Sequence, residues 1–238
     1  MSTVEAALAW LRDPANWEGR TGVPYLAYEH LYITVLSVLI ASVVALPLAF
    51  WLGHRRRGGT LTVAVTNLSR AVPTLALLTI FATTPVGFGN PATIAALAVF
   101  AVPPLLANAY VGVRNVDRDA IEAATGMGMS PREVFRRVEL PLAVPMVAAG
   151  LRTATVQVVA TATLAALVGG GGLGTIINLG FGIPDYGQVL AGGLLVAALA
   201  LVVEVALAGV QWAVTPGRVR PRVRRRTTAG AGQPARAG

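Results

Sequence analysis

Cysteine is absent from this chain of 238 residues, which removes disulfide frameworks, thiolate metal sites and cysteine nucleophiles from consideration. Lysine is absent too, so all 19 basic residues are arginine. A glycine-rich phosphate loop needs a lysine to reach the terminal phosphates, and any nucleotide would therefore be bound by another chain. Charge is scarce, at 13% of residues against 55% hydrophobic, more apolar material than one water-soluble core of this size hides. No group of His, Asp or Glu has metal-ligand spacing, and no nucleophile and base can be paired. The class that remains is an integral membrane protein. The net charge of +8 does not point to nucleic acid, because the arginines sit in short segments beside apolar runs and form no separate basic domain.

About 20 apolar helical residues cross a hydrocarbon core of about 30 Å. Five stretches qualify, approximately 31–53, 61–84, 92–111, 141–168 and 188–210, so the expected fold class is an all-α polytopic membrane protein with about five transmembrane helices. Pro47, Pro73, Pro103, Pro104 and Pro145 fall inside them, which is tolerated where neighbouring helices satisfy the freed carbonyls. Arg55, Arg56 and Arg57 follow the first stretch, Arg114, Arg118, Arg132, Arg136 and Arg137 the third, and six arginines from Arg218 to Arg226 the fifth, with Arg236 beyond. The positive-inside rule makes these segments cytoplasmic. The connections 85–91 and 169–187 carry no basic residue and face outward, which places the amino terminus outside and the tail inside.

Three regions are expected. Residues 1–30 form an external, interfacial segment with Trp10 and Trp17 near the headgroups and no cleavable leader. Residues 31–210 form the transmembrane domain with a cytoplasmic loop at 112–140. Residues 211–238 form a basic cytoplasmic tail, partly disordered, resting on anionic lipid.

The 112–140 loop ends in "EAATGMGMSPREVFRRVELP", residues 122–141, a soluble-looking segment between two apolar runs. Asp119 stands three residues before Glu122 and Ser130 three before Glu133, each the spacing of a capping box, with Pro131 at the first helical position of the second. Gly126 and Gly128 permit the left-handed turn between them. The pattern is helix, glycine turn, helix, with Ile121, Ala124, Val134, Phe135 and Val138 supplying apolar contacts.

Glu122-Ala123-Ala124, three residues, Gly128, nine residues and then Val138-x-Leu140-Pro141 resembles the EAA loop of binding-protein-dependent ABC importer permeases, with valine where isoleucine is usual. "GMGMSPREVFRRVELPLAVPMVAAGLRTATVQVVATATLAALVGGGGLGTIINLGF", "YEHLYITVLSVLIASVVALPLAFWLG" and "RAVPTLALL" are similar to the permeases for glycine betaine, choline and carnitine. The resemblance covers roughly residues 29–209, and Ala160 departs from an expected glycine. It implies a type I ABC importer permease fold in a bacterial cytoplasmic membrane. This chain would be a transport subunit without a cofactor of its own, while ATP and Mg are held by a partner dimer of ATPase subunits. Further implied partners are a second permease copy or a paralogue, an external substrate-binding protein and membrane lipids. Glu122, Ala123, Ala124 and Gly128 would dock into a cleft on the ATPase, with Leu140 and Pro141 opening the next span.

Arg70, Arg152 and Glu204 are the only charges inside the expected spans, and each is costly in hydrocarbon unless paired or wetted. Glu204 is expected to pair with one of the two arginines, as a structural lock in preference to a gate. Asn67 and Asn108 are expected to form interhelical hydrogen bonds. Gly169-x-Gly171-x-x-Gly174 matches a dinucleotide fingerprint only formally, since it lacks the strand, helix and ribose-binding acid of that motif. It reads instead as a turn into the apolar segment 175–179. Methionine importers share a similar loop and glycine run, so methionine or another small amine is the alternative cargo. A secondary transporter would need an inverted repeat or an ion-binding carboxylate, neither visible here, and a passive scaffold would leave the capped loop unexplained.

Overall fold

The computed structural model describes residues 2–215, apart from the side chains of residues 61 and 68–70. The arginine-rich tail and the Arg70 side chain lie outside the described residues. The helices in chain order are α1 (Thr3–Arg12), α2 (Val23–His54), α3 (Gly59–Ala71), α4 (Thr74–Ala82), α5 (Asn90–Arg114), α6 (Arg118–Gly126), α7 (Pro131–Val134), α8 (Leu140–Ala162), α9 (Gly174–Gly182) and α10 (Tyr186–Val214). Short turns of other pitch lie at Pro14–Trp17, Phe135–Glu139 and Thr163–Val168.

Among the described residues four runs are long and apolar enough to cross a membrane: α2, α5, the run Pro131–Val168 that contains α8, and α10. The second expected stretch, 61–84, is a broken pair, α3 and α4, parted at Val72 and Pro73. Pro73 donates no amide and its ring drives the preceding residue out of helical conformation. Val72 is accordingly extended, at φ −83° and ψ 118°. Pro47, Pro103, Pro104 and Pro145, by contrast, are accommodated inside their helices.

α2, α5 and α8 form the centre of the bundle. Ala41, Ala45 and Ala49 recur every four residues on α2, all buried in one cluster with Leu97, Ala101, Leu105 and Ala109 of α5 and Ala154 and Val158 of α8. Small side chains at helical spacing let the helix axes approach, which is how apolar helices gain packing energy without a hydrophobic driving force between them. A Cβ on Gly150 of α8 would lie 2.8 Å from the Asn108 Cβ of α5, so that crossing is closed to any larger residue. α10 packs on α8, α9 and α1 and leaves Leu201, Val202, Val205 and Val210 exposed, as an apolar face turned toward lipid or another subunit requires.

α1 is capped by Ser2 and Glu5 and lies against the start of α10. Trp10 is partly buried against the Val23, Leu26, Leu173, Ile176 and Val196 cluster. Trp17 donates its indole N–H to the Leu11 carbonyl at 2.8 Å.

Candidate functional site

The segment 117–141 forms two helical pieces joined by a tight turn at one end of the bundle. The cap of α6 is Asp117, whose carboxylate accepts the Asp119 amide at 3.0 Å. This corrects the expected box between Asp119 and Glu122: Asp119 lies inside the first turn, where a negative charge favours the helix dipole. The second box is formed as expected, the Glu133 carboxylate accepting the Ser130 amide at 3.0 Å and its hydroxyl at 2.9 Å.

α6 ends in a two-bond closure, with the Gly128 amide donating to the Thr125 carbonyl at 2.9 Å and the Met129 amide to the Ala124 carbonyl at 3.2 Å. That pattern puts one residue in the left-handed region, and it is Gly128, at φ +83°. Gly126 does not adopt it, contrary to expectation; it is the last residue of α6. The turn exposes Glu122, Ala123, Met127 and Gly128 and buries Ala124 and Val134. Of the expected docking residues, Ala124 therefore faces inward and holds the hairpin together. Met127, 71% exposed at the tip, takes a place on the surface that sequence reading had not assigned to it. Leu140 and Pro141 open α8, with proline in the first turn.

The hairpin is fastened to the bundle by residues that sequence reading missed. His54 ends α2, and its Nδ1 lies 2.5 Å from a carboxylate oxygen of Glu139. Glu139 is buried and closes the wide turn Phe135–Glu139 that joins α7 to α8. The Phe135 ring meets His54 edge-on at 5.4 Å and Phe50 at 6.1 Å. Nearby, the Arg114 guanidinium at the end of α5 donates to the Arg56 carbonyl at 3.0 Å. The only advance signal for this junction was that one of two histidines falls at a helix end.

Of the three intramembrane charges, Arg152 and Glu204 come together. The Arg152 Nε donates to Glu204 at 2.8 Å, Nη2 makes a second contact with the same oxygen, and Nη1 donates to the Gln211 side chain at 3.1 Å. The pair ties α8 to α10. Asn108 donates to the Pro104 carbonyl of its own helix at 2.8 Å, and among the described residues it makes no interhelical bond; Asn67 is exposed.

At the opposite end the glycine run is a strap. Glu29 of α2 accepts the Asn90 side-chain Nδ2–H at 2.7 Å and the Gly172 backbone amide at 3.0 Å, while the Asn90 side-chain oxygen accepts the Gly171 backbone amide at 2.8 Å. A side-chain carbon on Gly171 would coincide with the Glu29 carboxylate. His30 is fully buried, its Nε2 2.8 Å from the Val159 carbonyl oxygen. The turn thus leads into α9, which includes the expected segment 175–179.

The model of the family described as "Binding-protein-dependent transport system inner membrane component" matches residues 34–215. The chain is 37% identical over 192 residues to the choline transport system permease protein OpuBB of Bacillus subtilis (strain 168), covering 81% of this chain and 88% of that one. It is 36% identical, with the same coverage, to the glycine betaine/carnitine/choline transport system permease protein OpuCB of the same organism. Among solved structures, a chain of the MetNI methionine ABC transporter in an inward-facing conformation superposes with a TM-score of 0.68 at 25% identity, covering 79% of this chain and 94% of that one. Fold, loop and relatives agree, and the chain belongs to the binding-protein-dependent inner membrane permeases, the transport subunits of ABC importers whose ATPase is a separate subunit.

Proposed function

We propose that this chain is the permease of an ATP-driven importer for quaternary-ammonium osmoprotectants, the class that includes glycine betaine, choline and carnitine. The cargo reading rests on the named relatives, several above 30% identity across four fifths of the chain. The coupling reading rests on one observation: a capped hairpin presents Glu122, Ala123, Met127 and Gly128 to solvent while Ala124 and Val134 anchor it beneath.

The hairpin end lies in the cytoplasm, as its arginines favour. The glycine strap and the amino terminus lie outside, where an external binding protein delivers solute. Two permeases associate, and their interface forms the path. ATP and Mg sit on a pair of partner ATPase subunits, into each of which one hairpin inserts. When those subunits close, the hairpins approach each other and the helices joined to them exchange an inward for an outward opening.

The test is uptake of labelled glycine betaine at high salt, in cells lacking other betaine systems, with the operon deleted or restored. Restored uptake that choline and carnitine compete is the expected result. Uptake of methionine and of no quaternary amine, with the complex expressed, would move the cargo assignment and leave the permease class standing.

A further inference from the structure

Two helix faces meet at mid-depth in the bundle. On α8, Ala149, Arg152, Thr153, Val156 and Gln157 repeat at three and four residues, one stripe of the helix. On α5, Phe100, Pro103, Pro104, Ala107 and Asn108 do the same. Between these stripes, with Thr66 of α3 as a third wall, lies a hollow of about 280 Å³, at the lower edge of small-molecule sites, roughly 300–1,000 Å³. Thr153 and Gln157 are exposed although they lie in the middle of a membrane-spanning helix. Amides and hydroxyls turned to hydrocarbon lose their hydrogen bonds to water with nothing in return, which is costly. This face therefore meets water, protein or a polar solute.

We infer that the hollow between Asn108, Thr153, Gln157, Thr66 and Phe100 is a transit site for the quaternary-ammonium solute inside the permease. The inference rests on the cargo class proposed above. A quaternary nitrogen has no proton to donate, so it is held by diffuse negative potential, which an aromatic face supplies; Phe100 is the aromatic side chain of this wall. Pro103 and Pro104 add to it, because they donate no amides and leave the Val99 and Phe100 carbonyls without their helical donors. The solute's carboxylate or hydroxyl is served by the Asn108 and Gln157 amides and the Thr153 hydroxyl. Among the described residues, those that line the hollow carry no ionisable group. Arg152 borders the same α8 stripe, but its charge is matched by Glu204. A site without a fixed charge holds its solute weakly, which passage requires, since a solute bound tightly midway does not leave.

The natural absence of cysteine gives a direct test. Single variants Asn108→Cys, Thr153→Cys and Gln157→Cys are made in the full importer, with Val43→Cys on the exposed apolar face of α2 and Met127→Cys on the hairpin as controls. The probe is a methanethiosulfonate bearing a trimethylammonium group. The cysteine thiolate attacks its sulfenyl sulfur, forms a mixed disulfide and releases methanesulfinate, and the mass added to the permease subunit is read. The expected result is labelling at 108, 153 and 157 but not at 43, slowed at least tenfold by choline or glycine betaine and unaffected by methionine. Protection absent at 108, 153 and 157 would overturn the site, as would no labelling in a complex that still transports. Phe100→Leu and Gln157→Ala supply a second measurement if a cysteine variant fails to assemble. Both are expected to lower the maximal uptake rate while the half-saturating solute concentration, set by the binding protein, stays constant; unchanged rates in both would also overturn the site. Wild-type importer that takes up no quaternary amine defeats the cargo assignment instead, a result distinguishable from failure of the site.

Discussion

A carboxylate as enclosed as Glu139 has to be held by a partner, and among the described residues the only titratable side chain within bonding distance is His54. Removing one member of such a pair leaves the other buried and unsatisfied, at a cost of about 1–3 kcal/mol. His54→Ala is therefore expected to loosen the hairpin from α2, so that solute moved per ATP hydrolysed falls in a complex of unchanged subunit composition; His54→Asn, which keeps a donor, should recover part of it. Equal coupling in all three proteins would remove the pair from the transmission path. The Glu29 strap makes a second case at this scale. Gly171→Ala puts a methyl group onto the Glu29 carboxylate and is expected to lower the thermal midpoint of the purified complex. Gly182→Ala, with open space around it, should leave the midpoint where it is. In the double variant with Glu29→Ala the Gly171 effect should shrink, because neighbours that clash are not additive.

Within the hairpin, the two glycines separate by conformation. Gly128 is left-handed, and a side chain there costs about 1–2 kcal/mol. Gly126 ends α6 in ordinary conformation, so alanine fits. Gly128→Ala is expected to depress coupled transport and speed amide exchange through residues 124–130, while Gly126→Ala matches the wild type. Ser130→Ala removes the cap of α7 at a cost of about 0.5–2 kcal/mol and should raise exchange at 132–134 in the same experiment. The first cap shows where spacing misleads. Asp119 and Glu122 have the spacing of a box, but α6 begins at Arg118, before Asp119, and Asp117 caps it by accepting the Asp119 amide. Pro73 was read as a tolerated proline inside one span, like Pro47, Pro103, Pro104 and Pro145, because hydropathy alone does not distinguish a kinked span from two short helices.

Across the whole molecule, α10 is held to the bundle at depth by Arg152, Glu204 and Gln211. Glu204→Gln leaves the guanidinium without its counter-charge in a low-dielectric setting, and the yield of assembled permease should drop. The neutral pair Arg152→Gln with Glu204→Gln should restore most of that yield, because removing both charges costs far less than stranding one. A double variant no better than the single would mean that the charges act on the path itself and not as a lock.

The sequence by itself determined the class, the helical bundle and the hairpin. Each of these follows from local quantities: hydropathy over 20 residues, cap spacing, and a motif confined to residues 122–141. What it did not determine were the junctions. His54 and Glu139 lie 85 positions apart, Glu29 reaches Gly172 across 143, and the hollow draws one wall each from α3, α5 and α8. No periodicity along the chain encodes such meetings. They depend on how closely Ala41, Ala45, Ala49 and Gly150 let three helices approach, and so on the relative rotation and depth of packed helices, which only the tertiary structure sets.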